Sequence, residues 1–196
     1  MTNDHKAVLA LSALAGILIG WTMNGINQAQ NTSNPSVSVG TMLTNPTASL
    51  EKYFLEQMIP HHQGAIDMAT IALQKSETDE VRGLSEAIIA SQQAEIDQMI
   101  AWLKDWHNVN YGASQAGMDH SMHSTSGDLT ALNRAKNFDT EFVRQMIPHH
   151  ESAVIMAQML LAGNPRPELK ALAENIISAQ QIEINDMKSW LARWTR

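Results

Sequence analysis

The sequence contains the motif Met-Ile-Pro-His-His twice, at residues 58–62 and at residues 146–150. Imidazole and thioether groups are borderline and soft metal ligands, and the chain has no cysteine that could supply a thiolate. A ligand set of this kind favours Cu(I), and a set dominated by histidine also accepts Cu(II). The motifs therefore predict copper sites that prefer Cu(I), accept Cu(II) and take Ag(I) as a surrogate.

Each motif belongs to a longer stripe on one face of a helix. Met58 lies three residues before His61 and four before His62, and Met68 lies seven residues after His61. These steps place the side chains on the same side of an α-helix. The stripes predict metal ligands in both copies: Met58, His61, His62 and Met68 in the first, and Met146, His149, His150 and Met156 in the second.

Two carboxylates are predicted to lie beside these stripes. Folding the next helix back on the first places Glu95 near the height of Met58, and the second copy places Glu183 in the equivalent position. A carboxylate next to a ligating histidine orients the imidazole, so Glu95 and Glu183 are predicted to hydrogen-bond the histidines and orient them. The alternative for the stripes is ordinary core packing, since methionine at helical spacing usually fills a core.

A proline stands between the methionine and the histidines of each motif. Pro60 and Pro148 cannot donate a backbone hydrogen bond, and each is expected to kink its helix. A kink followed by two histidines is costly for a helix with a purely structural role. The prolines therefore favour a functional interpretation of the histidine pairs.

A third group of methionines and histidines occupies the polar segment between the two copies, residues 107–128. An exposed loop gains no packing energy from methionine, so a role in capturing copper at low selectivity is predicted here. A chance bias in composition is the alternative. The predicted ligands of this link are Met118, His120, Met122 and His123.

The two motifs belong to an internal repeat with an offset of 88 residues. Residues 53–106 align with residues 141–194 without a gap, and 24 of the 54 aligned positions are identical. A repeat of this quality indicates that the two halves share one structure, and two copies are too few for a solenoid. Helical periodicity occurs twice in each half. The sequence therefore predicts an all-α fold, a ferritin-like four-helix bundle built from two helical-hairpin repeats.

The predicted helices are separated by short breaks within each repeat and by the longer link between the repeats. The link is long enough either to turn locally or to cross the length of the bundle, so the topology stays open. The predicted helices cover residues 46–75, 78–107 and 129–162, and a fourth helix follows the break at residues 163–167 and ends at about residue 194.

The N-terminus begins with an apolar run of 15 residues, from Ala7 to Trp21. That length matches the core of a signal peptide and is short for a membrane span. Residues 1–30 are predicted to be a signal peptide or a membrane anchor, with a buried helix as the remaining alternative. Residues 31–46 are predicted to be a flexible linker, and residues 47–196 the bundle. A signal or an anchor would place the bundle in the periplasm or outside the cell.

Charge and missing motifs exclude several classes of function. The formal net charge is −7 and there is no basic stripe, so nucleic acid is not an expected partner. No glutamate is followed by histidine three residues later, as ferritin-like di-iron sites require. The sequence also lacks a zinc-protease motif, a phosphate-binding loop and a nucleophile elbow. The protein is therefore not expected to be an enzyme.

The repeated segments QMIPHHQGAIDMA and QMIPHHESAVIMA, with QQAEIDQMIAWL and QQIEINDMKSWL, resemble the bacterial family called domain of unknown function 305. The layout with a leader and a Met/His-rich link is similar to CopM-type periplasmic copper-binding proteins. The resemblance covers roughly residues 47–196. It implies a ferritin-like bundle, copper binding outside the cytoplasm in support of copper resistance, and the methionines and histidines of both stripes as ligands.

Three functions are compatible with these patterns. The favoured one is a copper buffer or carrier, with copper ions and a copper efflux system as partners and membrane contact only through an uncleaved N-terminus. The second is a metal-dependent oxidoreductase on a ferritin-like bundle. The third is a structural bundle whose methionines and histidines belong to the core.

Overall fold

The computed structural model describes residues 46–114 and 127–195. The regular secondary structure of these residues is α-helical: α1 (Pro46–Lys75), α2 (Asp79–His107), α3 (Tyr111–Ser114), α4 (Leu129–Arg134), α5 (Phe138–Ala162) and α6 (Pro167–Trp194). The predicted leader, the linker up to residue 45 and most of the Met/His-rich link lie outside the described residues. Within the described ranges, no helix is long and apolar enough to cross a membrane.

The bounds of α1, α2 and α6 lie where the sequence predicts them, to within a residue. Thr78 caps α2, because its side chain accepts a hydrogen bond from the backbone N–H of Val81. Pro167 opens α6, and its fixed φ angle and missing N–H suit the first helical position. Pro60 and Pro148 lie inside α1 and α5, and each helix continues through its proline. The expected kink therefore does not interrupt either helix.

The prediction of one helix over residues 129–162 is wrong. The structure divides this segment into α4 and α5, and Ala135 between them is extended, with φ −60° and ψ 133°. Asn137 starts α5, because its side chain accepts a hydrogen bond from the backbone N–H of Thr140 at 3.0 Å. The helical spacing of apolar residues continues across the break, so periodicity alone predicts one continuous helix. The short helix α3 was also not predicted.

Apolar side chains form two buried clusters, one toward each end of the bundle. Cluster 1 combines mainly residues 54–59 of α1, 96–103 of α2, 153–160 of α5 and 169–176 of α6. Cluster 2 combines mainly residues 65–72 of α1, 81–88 of α2, 142–147 of α5 and 184–187 of α6. This grouping makes α1 antiparallel to α2 and to α5, and α5 antiparallel to α6.

The link between the two hairpins therefore has its described ends at opposite ends of the bundle. Its start follows α2 beside cluster 1, where Val109 and Tyr111 pack. Its end lies beside the last residue of α1, where the Lys75 ammonium donates to the carbonyl of Asn133 at 2.8 Å. One long crossover between hairpins is the connection that ferritin-like folds use.

Two carboxylates, one from each hairpin, form hydrogen bonds with the other hairpin. Asp139 of α5 accepts hydrogen bonds from the backbone N–H groups of Thr78 at 3.0 Å and Glu77 at 3.3 Å, at the start of α2. Glu51 of α1 accepts the backbone N–H of Arg166 at 2.7 Å, at the start of α6, and pairs with its guanidinium at 2.8 Å. Both contacts are related by the 88-residue offset, so the repeat symmetry extends to the contacts between the hairpins.

Candidate metal centre

A layer of buried polar side chains lies between the two apolar clusters, at the middle of the bundle. On each of the four long helices, its members stand in the interval between the residues of cluster 1 and those of cluster 2. Polar groups in an apolar core are costly unless they are paired, so their partners indicate the purpose of the layer. The members of this polar layer are His61, His62, Gln92, His149, His150 and Gln180.

The structure brings the two histidine pairs into contact across the interface of α1 and α5. The ring centroids of His61 and His149 lie 3.8 Å apart, with their planes tilted by 43°. Within each pair, the centroids of His61 and His62 are 6.5 Å apart, and those of His149 and His150 are 6.2 Å apart. The first histidines of the two motifs are therefore in contact, and each second histidine lies beside the first histidine of its own motif.

Each predicted carboxylate contacts one histidine of its own repeat. The Nε2 atom of His62 lies 2.6 Å from Oε2 of Glu95, and Nε2 of His150 lies 2.7 Å from Oε2 of Glu183. Both imidazoles are fully buried, whereas the carboxylates keep 24% and 17% of their side-chain surface exposed. The carboxylates therefore connect the buried histidines to the bundle surface.

These contacts determine which ring nitrogen can bind a metal. A carboxylate oxygen accepts hydrogen bonds, so Nε2 of His62 and Nε2 of His150 carry the proton and donate it. In the neutral imidazole the lone pair is then on Nδ1. The Nδ1 atoms of His62 and His150 are buried and have no hydrogen-bond partner. A histidine that donates one N–H to a carboxylate and leaves its other nitrogen bare has the arrangement of a metal ligand.

His61 is held neutral by its surroundings. Its pKa is lowered from 6.5 to about 3, mainly by burial and then by proximity to His62 and to His150. Its Nδ1 atom is buried and has no hydrogen-bond partner. A neutral imidazole is the form that binds metal, so His61 does not have to lose a proton at neutral pH before it can act as a ligand.

Two glutamines complete the polar layer, and the sequence reasoning did not identify them as functional. Gln92 and Gln180 are related by the repeat and are only 3% and 4% exposed. The Oε1 atom of each is buried without a hydrogen-bond partner. Their identity in both copies, three residues before Glu95 and Glu183, is a signal that could have revealed them.

Four of the buried atoms of the layer that have no hydrogen-bond partner are of one chemical kind. Nδ1 of the two carboxylate-paired histidines and Oε1 of both glutamines are acceptors with an unused lone pair. Acceptors cannot pair with one another, and each costs about 1–3 kcal/mol when it is buried and unsatisfied. A bound group that accepts these lone pairs would stabilise the layer, and a metal cation can accept several of them at once.

Two of the predicted methionine ligands lie close to the histidines along the helix axis, and two lie farther away. Met58 and Met146 are fully buried, three residues before the first histidine of each motif. This spacing is roughly 4.5 Å along the helix axis, within reach of a shared metal ion. Met68 and Met156 are seven residues beyond that histidine, roughly 10 Å along the axis. They are therefore too far away to share one mononuclear site with it.

Met68 instead lies beside the returning end of the link. Gly127 has a positive φ of 64°, and a Cβ atom there would lie 2.9 Å from Sδ of Met68. Gln145 holds this end in place, because its Oε1 accepts the backbone N–H of Asp128 at 2.9 Å. The link that carries the Met/His group therefore re-enters the described structure next to a predicted copper ligand.

The predicted ligands Met118, His120, Met122 and His123 lie outside the described residues. Within residues 46–114 and 127–195, no three His, Asp or Glu side chains are arranged so that they could hold a metal ion together. The layer thus depends on histidine together with methionine and amide oxygen.

Residues 51–191 match the family described as domain of unknown function (DUF305). The chain belongs to this family. The matched region spans both hairpins and the complete polar layer, and it confirms the resemblance inferred from the repeated motifs.

Solved structures of the DUF305 family share the same bundle. The chain is 45% identical to CopM in the Cu(II)-bound form, with a TM-score of 0.68, over 74% of this chain and 97% of that one. It is 43% identical to CopM in the Cu(I)-bound form, with a TM-score of 0.65, over 74% and 96% of the two chains. A DUF305 fragment from Deinococcus radiodurans is 31% identical over 74% and 96%, with a TM-score of 0.60.

A curated relative matches over a shorter region. An uncharacterized protein of Acanthamoeba polyphaga mimivirus is 42% identical over 53 residues, which are 27% of this chain and 35% of that protein. The chain therefore spans about a third of the length of this relative.

A double substitution tests whether the buried glutamines serve a metal. Replacing Gln92 and Gln180 by leucine removes two unsatisfied acceptors, so the free energy of unfolding of the metal-free protein is expected to rise by about 1–3 kcal/mol per site. The affinity for Cu(II), which accepts oxygen donors, is expected to fall more than that for Cu(I). Urea unfolding and copper titration measure both effects. A loss of stability with unchanged copper affinity would show that the glutamines only support the core.

Proposed function

We propose that the protein binds copper at the polar layer of the bundle, through imidazole nitrogens and the adjacent methionine sulfurs. The observation that carries this proposal is that the buried Nδ1 atoms of His62 and His150 have no hydrogen-bond partner. The Nε2 atom of each of these rings is hydrogen-bonded to a carboxylate. The copper-bound and silver-bound forms of CopM, at 43–45% identity, support the same conclusion.

The donor atoms favour copper over harder metals. The chain offers no thiolate, so its soft donors are thioether sulfurs beside neutral imidazoles. Met58 and Met146 approach the layer from opposite clusters, which gives each half of the centre one sulfur and two imidazoles. Cu(I) is the preferred ion for this set, and Cu(II) is accepted through the imidazoles and the amide oxygens.

The proposed role is buffering and transport of copper outside the cytoplasm, in support of copper resistance. The link with Met118, His120, Met122 and His123 would capture copper, and Met68 lies where the link returns to the bundle. Delivery to a copper efflux system is part of the proposal. The N-terminal segment would export the bundle or anchor it to a membrane.

We propose binding without catalysis, because the layer is closed to solvent. His62 and His150 are fully buried, and the rings of His61 and His149 cover one another. A substrate has no open approach to a metal at this position. Oxygen consumption by the copper-loaded protein would instead favour the oxidoreductase alternative.

Titration of the full chain with Cu(I) against a chromophoric Cu(I) chelator tests the proposal. The protein is expected to withdraw copper from the chelator stoichiometrically and to unfold at a higher temperature when loaded, because copper binds the native state preferentially. Failure of the folded protein to compete for either Cu(I) or Cu(II) would leave the structural bundle as the explanation.

A further inference from the structure

The hydroxyl of Ser152 links the two halves of the histidine cluster. Its Oγ atom lies 2.6 Å from Nε2 of His61, a residue of the other repeat. The same Oγ lies 2.7 Å from the backbone carbonyl oxygen of His149, one helical turn earlier in α5. Ser152 therefore joins the inner histidine of α1 to the backbone of the inner histidine of α5.

The two contacts of Ser152 allow one arrangement of protons. A carbonyl oxygen only accepts, so the single hydroxyl proton of Ser152 must point at the His149 carbonyl. Toward His61 the serine oxygen then presents a lone pair, and Nε2 of His61 has to be the donor. The opposite choice would place two bare oxygens 2.7 Å apart. Because His61 is neutral, its Nδ1 carries the lone pair, and that atom is buried without a partner.

The repeat provides this hydroxyl only once. Position 152 corresponds to position 64 in the first copy, where the residue is Gly64. Glu95 and Glu183, in contrast, occur in both copies and contact their histidines at nearly equal distances. The outer histidines, His62 and His150, thus have equivalent partners, whereas the hydroxyl that contacts His61 has no counterpart at position 64.

We infer that Ser152 is a positioning residue that fixes His61 in the Nε2–H tautomer and presents its Nδ1 atom to the metal, in one half of an otherwise pseudo-symmetric centre. The inference rests on the proposed copper-binding function. It deepens that function, because it assigns to His61 an orienting contact that crosses between the two repeats. Removing a hydrogen-bond partner of a metal ligand commonly weakens metal binding by about 10- to 100-fold.

The tautomer can be measured without copper. Two-bond proton–nitrogen correlation spectra of the metal-free full chain distinguish the two nitrogens of each imidazole. His61 is expected to show the Nε2–H tautomer in the wild type and to lose it, wholly or in part, in Ser152→Ala. Ser152→Thr retains the oxygen and is expected to restore the wild-type pattern. An unchanged His61 tautomer in Ser152→Ala, or an Nδ1–H tautomer in the wild type, would overturn the inference.

A matched serine controls for the loss of a helix hydroxyl. The exposed Ser91 of α2 also donates to backbone carbonyls one turn earlier, to Ala87 at 2.8 Å and to Ile88 at 3.4 Å. Ser91→Ala is expected to leave both the tautomer of His61 and the copper affinity unchanged. Competition titration with Cu(I) should show one affinity lowered about tenfold in Ser152→Ala and restored in Ser152→Thr.

The two measurements separate the inference from the proposed function. A changed tautomer with an unchanged copper affinity would show that Ser152 orients His61 without serving the metal, and would overturn the inferred role of Ser152 in copper binding. The expected tautomers together with no copper binding in the wild type would contradict the proposed function instead. The expected result is a tautomer change and an affinity change that appear together in Ser152→Ala and nowhere else.

Discussion

Replacing the four histidines of the polar layer by leucine is expected to remove the copper site of the bundle while the protein stays folded. Leucine has a suitable volume, and exchanging unsatisfied buried polar groups for apolar ones is close to neutral or stabilising. The freed Glu95 and Glu183 remain partly exposed and can be hydrated. Because orienting partners alone change metal affinity by about 10- to 100-fold, loss of the ligands themselves should lower it by more than about 100-fold.

Cu(I) competition measurements and urea unfolding of the metal-free protein test this expectation together. The matched variant replaces Met118, His120, Met122 and His123 of the link by alanine, and it should keep the tight site of the bundle. If the variant without the four layer histidines retained the wild-type copper stoichiometry and affinity, the bundle would not be the binding site.

The metal-free protein is expected to lose stability as the pH falls below about 6.5, because of His61. Its pKa is about 3 in the folded protein and 6.5 without burial. Between these values the unfolded chain binds a proton at His61 that the folded protein does not bind, so lowering the pH favours unfolding. The contribution of this one group is about 1.4 kcal/mol for each pH unit, lost progressively from about pH 6.5 toward pH 3.

The window from pH 6.5 to pH 5 separates this effect from the titration of the carboxylates, most of which titrate below it. Urea unfolding in the presence of a chelator should give a free energy of unfolding about 2 kcal/mol lower at pH 5 than at pH 6.5 from this group alone. The variant His61→Leu should show a flatter pH dependence by that amount, with His62, His149 and His150 still present. Parallel pH profiles for the two proteins would contradict a buried, neutral His61.

The hairpins could be predicted from the sequence because residues near each helix end determine where that helix begins or ends. The start of α2 follows from the cap at Thr78, and that of α6 from Pro167 after a short break. The break before α5 was missed because Asn137 is a single capping residue inside a continuing apolar pattern. The direction of the crossover could not be predicted, since a link of this length permits either topology and the packing of the clusters decides it.

The centre itself was predicted in part. The spacing of Met58 and His61 places them on one face, and the repeat implies that the equivalent histidines meet, as the 3.8 Å contact of His61 and His149 shows. The role of Ser152 could not be inferred, because its contact joins residues 91 positions apart on different repeats. The place of Met68 also follows from the structure, which puts its Sδ atom beside Gly127 at the end of the link.

The most direct measurement is a crystal structure of the copper-loaded protein, with anomalous diffraction recorded on both sides of the copper edge. The proposed function predicts an anomalous peak inside the bundle within bonding distance of Nδ1 of at least two layer histidines, with Sδ of Met58 or Met146 as a further ligand. Anomalous peaks confined to the bundle surface or the link, with the histidine layer unchanged, would contradict the central claim.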